Sequence, residues 1–186
     1  MEMRLSKILA IIACYIAFSH VQAQTIDRPL NVIAFGDSVT VGTGTTIGRN
    51  YVQILSERTG IAIENQGISG NTTAQALARV DTDIISKDPD IVIVFLGGND
   101  ILQNIDAPIT LSNIRTIVTR IQSSGAKVIL VSIHDSFILD DYEEGYQDIA
   151  NETGAYFVSG VLRGIIGRSE FMFDAVHPNN AGHKII

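Results

Sequence analysis

Asn31-Val32-Ile33-Ala34-Phe35-Gly36-Asp37-Ser38 joins a strand-length, mostly apolar run to an abrupt polar stop. Asn31–Phe35 is too continuous for a strand with one wet face and reads as a strand buried on both faces of a parallel sheet. Runs of the same kind recur at Ile61–Glu64, Ile91–Leu96, Val128–Ile133 and Tyr156–Val158, and all are expected to be buried parallel strands. Between them, Tyr51–Thr59, Thr72–Ser86, Leu111–Ser123 and Asp141–Thr153 carry helical spacing, with Gly60, Gly125 and Gly154 at the C-terminal stop positions. Alternation of strand and helix predicts an α/β fold with a doubly wound parallel sheet. The 186 residues, 46% hydrophobic and 18% charged and without a repeat or linker, suit one domain.

Open sheets of this type bind ligands beyond the carboxyl ends of their strands, where the strand order reverses. Three polar, glycine-bearing loops fall there: Gly36-Asp37-Ser38, Asn65-Gln66-Gly67-Ile68-Ser69-Gly70 and Gly97-Gly98-Asn99-Asp100. A hydroxyl nucleophile needs a base, a group that orients the base, and donors for the oxyanion. Ser38 can present its Oγ from a sharp turn, Gly70 can offer an unobstructed backbone N–H, and Asn99 a side-chain amide. Asp174-Ala175-Val176-His177 places a carboxylate three residues before an imidazole, so that one turn can hold Asp174 against Nδ1 while Nε2 faces Ser38. Singly, each piece is an ordinary turn, cap or loop bond. Together, in order and at predicted strand ends, they point to acyl transfer.

Gly36-Asp37-Ser38-Val39, Gly70, Gly97-Gly98-Asn99-Asp100 and Asp174-Ala175-Val176-His177-Pro178-Asn179 resemble the successive blocks of the SGNH, or GDSL-type, hydrolase family. Asn65-Gln66-Gly67-Ile68-Ser69-Gly70-Asn71-Thr72-Thr73, followed by Leu77-Ala78-Arg79, is similar to the second block of the branch holding bacterial arylesterases, lysophospholipases and acyl-thioesterases. The resemblance implies a flavodoxin-like five-stranded sheet of order 2-1-3-4-5. It implies Ser38 as nucleophile, His177 as base, Asp174 as its partner, and Ser38, Gly70 and Asn99 as the oxyanion hole, with no metal or organic cofactor. The implied reaction is hydrolysis of small ester or thioester bonds through an acyl-serine. Two features depart from the pattern. Val39 stands where Leu is commoner, a volume-conserving change. Asn179–Ile186 can make at most about 12 Å of helix, shorter than the closing helix of such proteins, so a truncated C-terminal helix is expected.

Arg4 and Lys7 precede the apolar run Ile8–Phe18, which ends in Val21-Gln22-Ala23, and residues 1–23 read as a signal peptide leaving a domain over 24–186. The expected location is periplasmic or secreted. Ile11-Ile12-Ala13-Cys14 also resembles a lipoprotein box, which would leave the protein anchored through Cys14. No segment reaches the roughly 20 apolar residues of a spanning helix, so no stable membrane insertion is expected. Cys14 is the only cysteine, so the mature chain would carry no disulfide and no thiolate nucleophile. Loss of Glu2, Arg4 and Lys7 takes the formal charge from −7 to −8, without a basic cluster, and makes nucleic acid a poor partner.

Other motifs rank below these. Gly42-Thr43-Gly44-Thr45-Thr46-Ile47-Gly48 misses the dinucleotide-loop spacing and reads as a flexible active-site loop. His134 follows the fourth predicted strand on the same rim and is a candidate substrate contact. Asp140-Asp141-Tyr142-Glu143-Glu144 lacks the alternating ligands of a calcium loop and suits a helix start, while His183 belongs to the final helix. Two readings compete with the ester hydrolase. A carbohydrate acetylesterase shares the chemistry, although aromatic residues make up 6% with no Trp, which leaves few sugar-stacking platforms. A non-catalytic flavodoxin-like binding module would need neither Asp174 nor His177 near Ser38.

Overall fold

The computed structural model describes residues 28–133 and 140–186. The expectations for residues 1–23, for Cys14 and for His134 lie outside these residues. Five parallel strands, β1 (Val32–Gly36), β2 (Ile63–Gly67), β3 (Ile91–Phe95), β4 (Lys127–Val131) and β5 (Tyr156–Val158), form one sheet in the order β2-β1-β3-β4-β5. This is the α/β architecture read from the alternation of strand and helix, in the strand order that the family resemblance implies. The connections out of β1 and out of β3 run in opposite directions, so the strand ends at β1 and β3 form the switch point.

The helices are α1 (Ser38–Val41), α2 (Tyr51–Thr59), α3 (Thr73–Asp83), α4 (Gly98–Leu102), α5 (Ala107–Ser123), α6 (Asp140–Thr153) and α7 (Asn180–His183). Helix α5 packs between α3 and α6. Right-handed crossovers place these three on one face of the sheet and α2 on the other. The core lies between the layers. Ile33, Ala34, Phe35, Val92, Val94 and Leu130 of the central strands are all buried, as are Ile114, Ile117 and Ile121 along one stripe of α5. Each large side chain so buried contributes roughly 1.5–3 kcal/mol over exposure.

Four expectations are corrected. Strand β2 spans Ile63–Gly67 instead of Ile61–Glu64, and Glu64 and Asn65 are exposed, because β2 is an edge strand with only β1 beside it. Strand β5 at the other edge is likewise half open, with Tyr156 and Val158 exposed. Buried-strand character belongs to β1, β3 and β4. Helix α5 starts four residues before Leu111, since Pro108 in its first turn lacks only an N–H that no helix would use there. Thr72–Ser86 divides into α3 and a short 3₁₀ turn at Ile85–Lys87.

Glycine matters most where β1 and β2 leave the sheet side by side, Gly36 paired with Gly67. A Cβ on Gly36 would stand 2.7 Å from the Phe95 carbonyl oxygen, and one on Gly67 2.9 Å from that of Asp37. Both distances are shorter than side-chain contacts allow, and their absence lets the turn into α1 lie directly over the strand ends. At the far end of the chain, α7 is held to α2 by His183, whose Nδ1 accepts the Tyr51 N–H at 3.2 Å. The ring is fully buried, and burial pushes its pKa down to about 4.

Candidate active site

Ser38 is the first residue of α1, directly beyond β1. Asp37 caps that helix through Oδ1, which accepts the Val39 N–H at 3.0 Å. The cap fixes the turn that lifts the serine hydroxyl off the sheet. Asp37 itself is buried, and desolvation raises its pKa from 3.8 to about 6, with the Val39 N–H acting the other way.

Opposite Ser38 stands a small hairpin near the C-terminus. Met172 bridges Pro178 in antiparallel fashion, and the Phe173 N–H donates to the His177 carbonyl at 2.8 Å. Asn179 ties the base of the hairpin with its amide, which donates to the Glu170 and Met172 carbonyls, while its Oδ1 caps α7. Inside the hairpin, Asp174 Oδ1 accepts the N–H groups of Val176 and His177 at 2.9 and 2.8 Å. Its Oδ2 lies 2.7 Å from His177 Nδ1, and His177 Nε2 lies 3.0 Å from Ser38 Oγ. The His177 side chain, followed by the two backbone donors, lowers the Asp174 pKa from 3.8 to about 2. Asp174 is therefore a carboxylate at neutral pH, placed to accept from Nδ1 and leave Nε2 facing the Ser38 hydroxyl.

Asn99 sits in the first turn of α4, after a left-handed Gly97. The approach to this turn is anchored to α6, where the buried Tyr146 hydroxyl donates to the Leu96 carbonyl at 2.6 Å. One Nδ2 hydrogen of Asn99 goes to the Asn71 carbonyl at 3.0 Å and the other toward Asp37 Oδ2 at 3.3 Å. Its neighbour Asp100 is fully buried and accepts the Thr73 N–H and the hydroxyls of Thr73 and Thr110. Gly70, at φ +78°, lies on the rim between β2 and α3. Ser38, Gly70, Asn99 and His177 thus face one cavity, and Asp174 stands behind the histidine.

That cavity has a volume of about 400 Å³. Its polar end holds the four residues just named, and the remainder is walled chiefly by Ile101, Leu102, Ile133, Leu162, Ile166 and Val176. The Gly42–Gly48 loop borders it through Thr43 and makes two exposed bonds: Asn180 Oδ1 accepts the Thr46 N–H at 2.9 Å, and Thr43 meets the Ser69 hydroxyl at 3.3 Å. Asp37 and Asp100 are the site residues that the sequence reading left without a role. Their signal was there, one carboxylate directly after an apolar strand and another two residues past a Gly-Gly turn, but burial shows only in the fold. Among the described residues, no helix is long and apolar enough to cross a membrane, and no three His, Cys, Asp or Glu side chains cluster as metal ligands.

The profile of the GDSL-like lipase/acylhydrolase family matches residues 34–185. The chain is 26% identical over 158 residues to an arylesterase of Vibrio mimicus, covering 79% of each protein. It is 27% identical over 196 residues to an acetylxylan esterase of Geobacillus stearothermophilus, covering 83% of this chain and 89% of that one. The crystal structure of TesA superposes with a TM-score of 0.75 at 26% identity, covering 83% of this chain and 92% of the other.

Proposed function

The chain belongs to the GDSL-like lipase/acylhydrolase family and is an ester-hydrolysing serine hydrolase, and on that premise we propose that Ser38 is its nucleophile, His177 its general base and Asp174 the group that orients the base. The observation that carries the assignment is the continuous relay from Asp174 Oδ2 through His177 to Ser38 Oγ, 2.7 and 3.0 Å, at the polar end of an apolar cavity. Oγ attacks the ester or thioester carbonyl as Nε2 takes its proton. The tetrahedral oxyanion is held by the N–H groups of Ser38 and Gly70 and by the Asn99 amide. His177 then returns the proton to the leaving alcohol or thiol, and water repeats both steps on the acyl-serine. For Asn99 to serve, the hydrogen now directed at Asp37 turns to the oxyanion. That exchange gives up the longer of its two bonds, the one to the buried Asp37 carboxyl.

The wall of Ile101, Leu102, Ile133, Leu162 and Ile166 supports a flexible acyl chain as the part of the substrate that enters the cavity. Each methylene buried there contributes about 0.8 kcal/mol, roughly fourfold in kcat/KM. The relative named acetylxylan esterase supports a second reading, acetylated carbohydrate. The pattern of Arg4, Lys7, Ile8–Phe18 and Ala23 supports export, with the enzyme working outside the cytoplasm. N-terminal sequencing of the exported protein tests this: a start at Gln24 is expected, and a lipidated Cys14 would replace it with a membrane anchor.

The deciding experiment is hydrolysis of p-nitrophenyl esters from acetate upward, with acetylated xylan alongside and Ser38→Ala as control. Turnover that rises with chain length and disappears in Ser38→Ala is expected. Turnover confined to acetyl groups and highest on the xylan would establish the carbohydrate reading. Unaltered turnover in Ser38→Ala would remove that residue as nucleophile.

A further inference from the structure

Helix α3 carries a guanidinium into the space beneath the catalytic rim. Arg79 is held with its side chain only 12% exposed, its carbon 4.4 Å from the centre of the buried Phe35 ring. Its Nε donates to Asn71 Oδ1 at 2.7 Å. One Nη2 donates to two carbonyls at once, Gly36 at 3.1 Å and Gln66 at 3.0 Å, and Nη1 pairs with Asp83 one turn along α3 at 3.1 Å. These partners are not scattered. Gly36 ends β1 two residues before Ser38, Gln66 lies in the last two residues of β2 before the turn to Gly70, and Asn71 follows Gly70 and offers its own carbonyl to Asn99. The guanidinium therefore ties the Ser38 and Gly70 loops directly, and it reaches the Asn99 loop through Asn71, whose carbonyl accepts from Asn99.

We infer that Arg79 is a positioning residue whose guanidinium keeps the loops of Ser38, Gly70 and Asn99 in register for the oxyanion. The inference rests on the oxyanion reading above and adds to it what holds the donors together. The chemistry requires arginine. Strand ends that diverge into loops leave carbonyls pointing in different directions, and only a rigid fork with several N–H groups satisfies them simultaneously. A lysine has the charge and could reach one of these acceptors, but not all of them. An error of about 1 Å in the place of a donor costs around 100-fold in rate, because oxyanion stabilisation depends on distance and direction. Arg79 touches neither the acyl cavity nor the base, so ground-state binding should survive its loss.

The test is a kinetic cycle on the intact protein with Arg79→Met, Asn99→Ala and the double variant, using one p-nitrophenyl ester. Arg79→Met is expected to lower kcat about 100-fold with KM changed less than threefold. Asn99→Ala alone is expected to lower kcat about 100- to 1000-fold, and in the Arg79→Met background only about tenfold or less, because its amide is already out of place. Arg79→Lys, which keeps the aliphatic stem over Phe35, serves where the methionine variant does not fold and is expected to lose about tenfold or more in kcat. Losses that multiply independently, a rise in KM with kcat intact, or a melting temperature that falls while kcat holds would each overturn the inference. A Ser38→Ala enzyme that still turned over would instead sink the nucleophile assignment beneath it, so the two failures are distinguishable.

Discussion

Ser38 and Asn99 stand on buried carboxylates and strand ends, whereas Asp174 and His177 stand on a hairpin that is largely its own support. Asp100 is fully buried and takes donors from residues 27 and 10 positions away. The Asp174 side chain is 43% exposed, and the bonds that shape its hairpin span two to nine residues. The first arrangement is inseparable from the packing of α3, α4 and α5. The second needs only a few local bonds and its moorings to the Gly42–Gly48 loop and α2. Removing a group from the hairpin should therefore change the chemistry and spare the fold, while removing one from the rim beneath Asn99 should damage both.

The largest expected effect is His177→Ala, which takes away the base proposed above and leaves the Phe173 to His177 backbone bond in place. Loss of about 10⁴-fold or more in kcat with a melting temperature within a degree or two of the parent is the expected outcome. A large drop in melting temperature would break the contrast between the two regions. Asp100→Ala should behave oppositely in the calorimeter. It leaves the Thr73 N–H and two hydroxyls without their acceptor in a dry site, at about 1–3 kcal/mol for each buried donor, and a denaturant titration should register a loss of at least about 3 kcal/mol. A loss under about 1 kcal/mol would mean that water or a neighbour replaces the carboxylate.

The smallest and sharpest effect concerns pH. Asp37 holds its proton more tightly in the folded chain than in the unfolded one, its pKa standing near 6 against 3.8. The stability this confers is complete below about pH 4 and is lost as pH climbs through 6. Above pH 7 the fold carries a buried charge, at a cost of about 3 kcal/mol. Asp37→Asn removes that titration. Between pH 4 and pH 8 its unfolding free energy should shift relative to the parent by about that amount in the variant's favour. A constant difference between the two proteins at both pH values would show that Asp37 titrates normally.

What could be read without the fold follows the same division. The buried strands were legible because an uninterrupted apolar run such as Ile91–Phe95 has few other uses, and Tyr51–Thr59 was legible to the residue through its period and Gly60. The edge strands were not, because exposure of Glu64 and Asn65 depends on how many neighbours β2 has, which is a property of topology. Short helices such as Ser38–Val41 and Gly98–Leu102 have too few residues for a period to develop. Asp174 and His177 could be paired by spacing alone, since their contact lies within one turn of chain. The bonds of Asn99 to Asp37 and Asn71 cross 62 and 28 residues, and the burial that raises the Asp37 pKa is assembled from several elements. Short-range chemistry is written in adjacent letters; long-range chemistry waits for the packing.

The contact between Ser38 and His177 spans 139 residues of sequence. A ribosome delivers Ser38 early and His177 late, so all five strands of the sheet emerge before the base proposed above is made. Throughout synthesis the hydroxyl is an ordinary alcohol. On the proposed assignment, hydrolytic competence requires the Asp174–His177 hairpin to dock over the end of β1, which makes turnover a report that two distant stretches of chain have met.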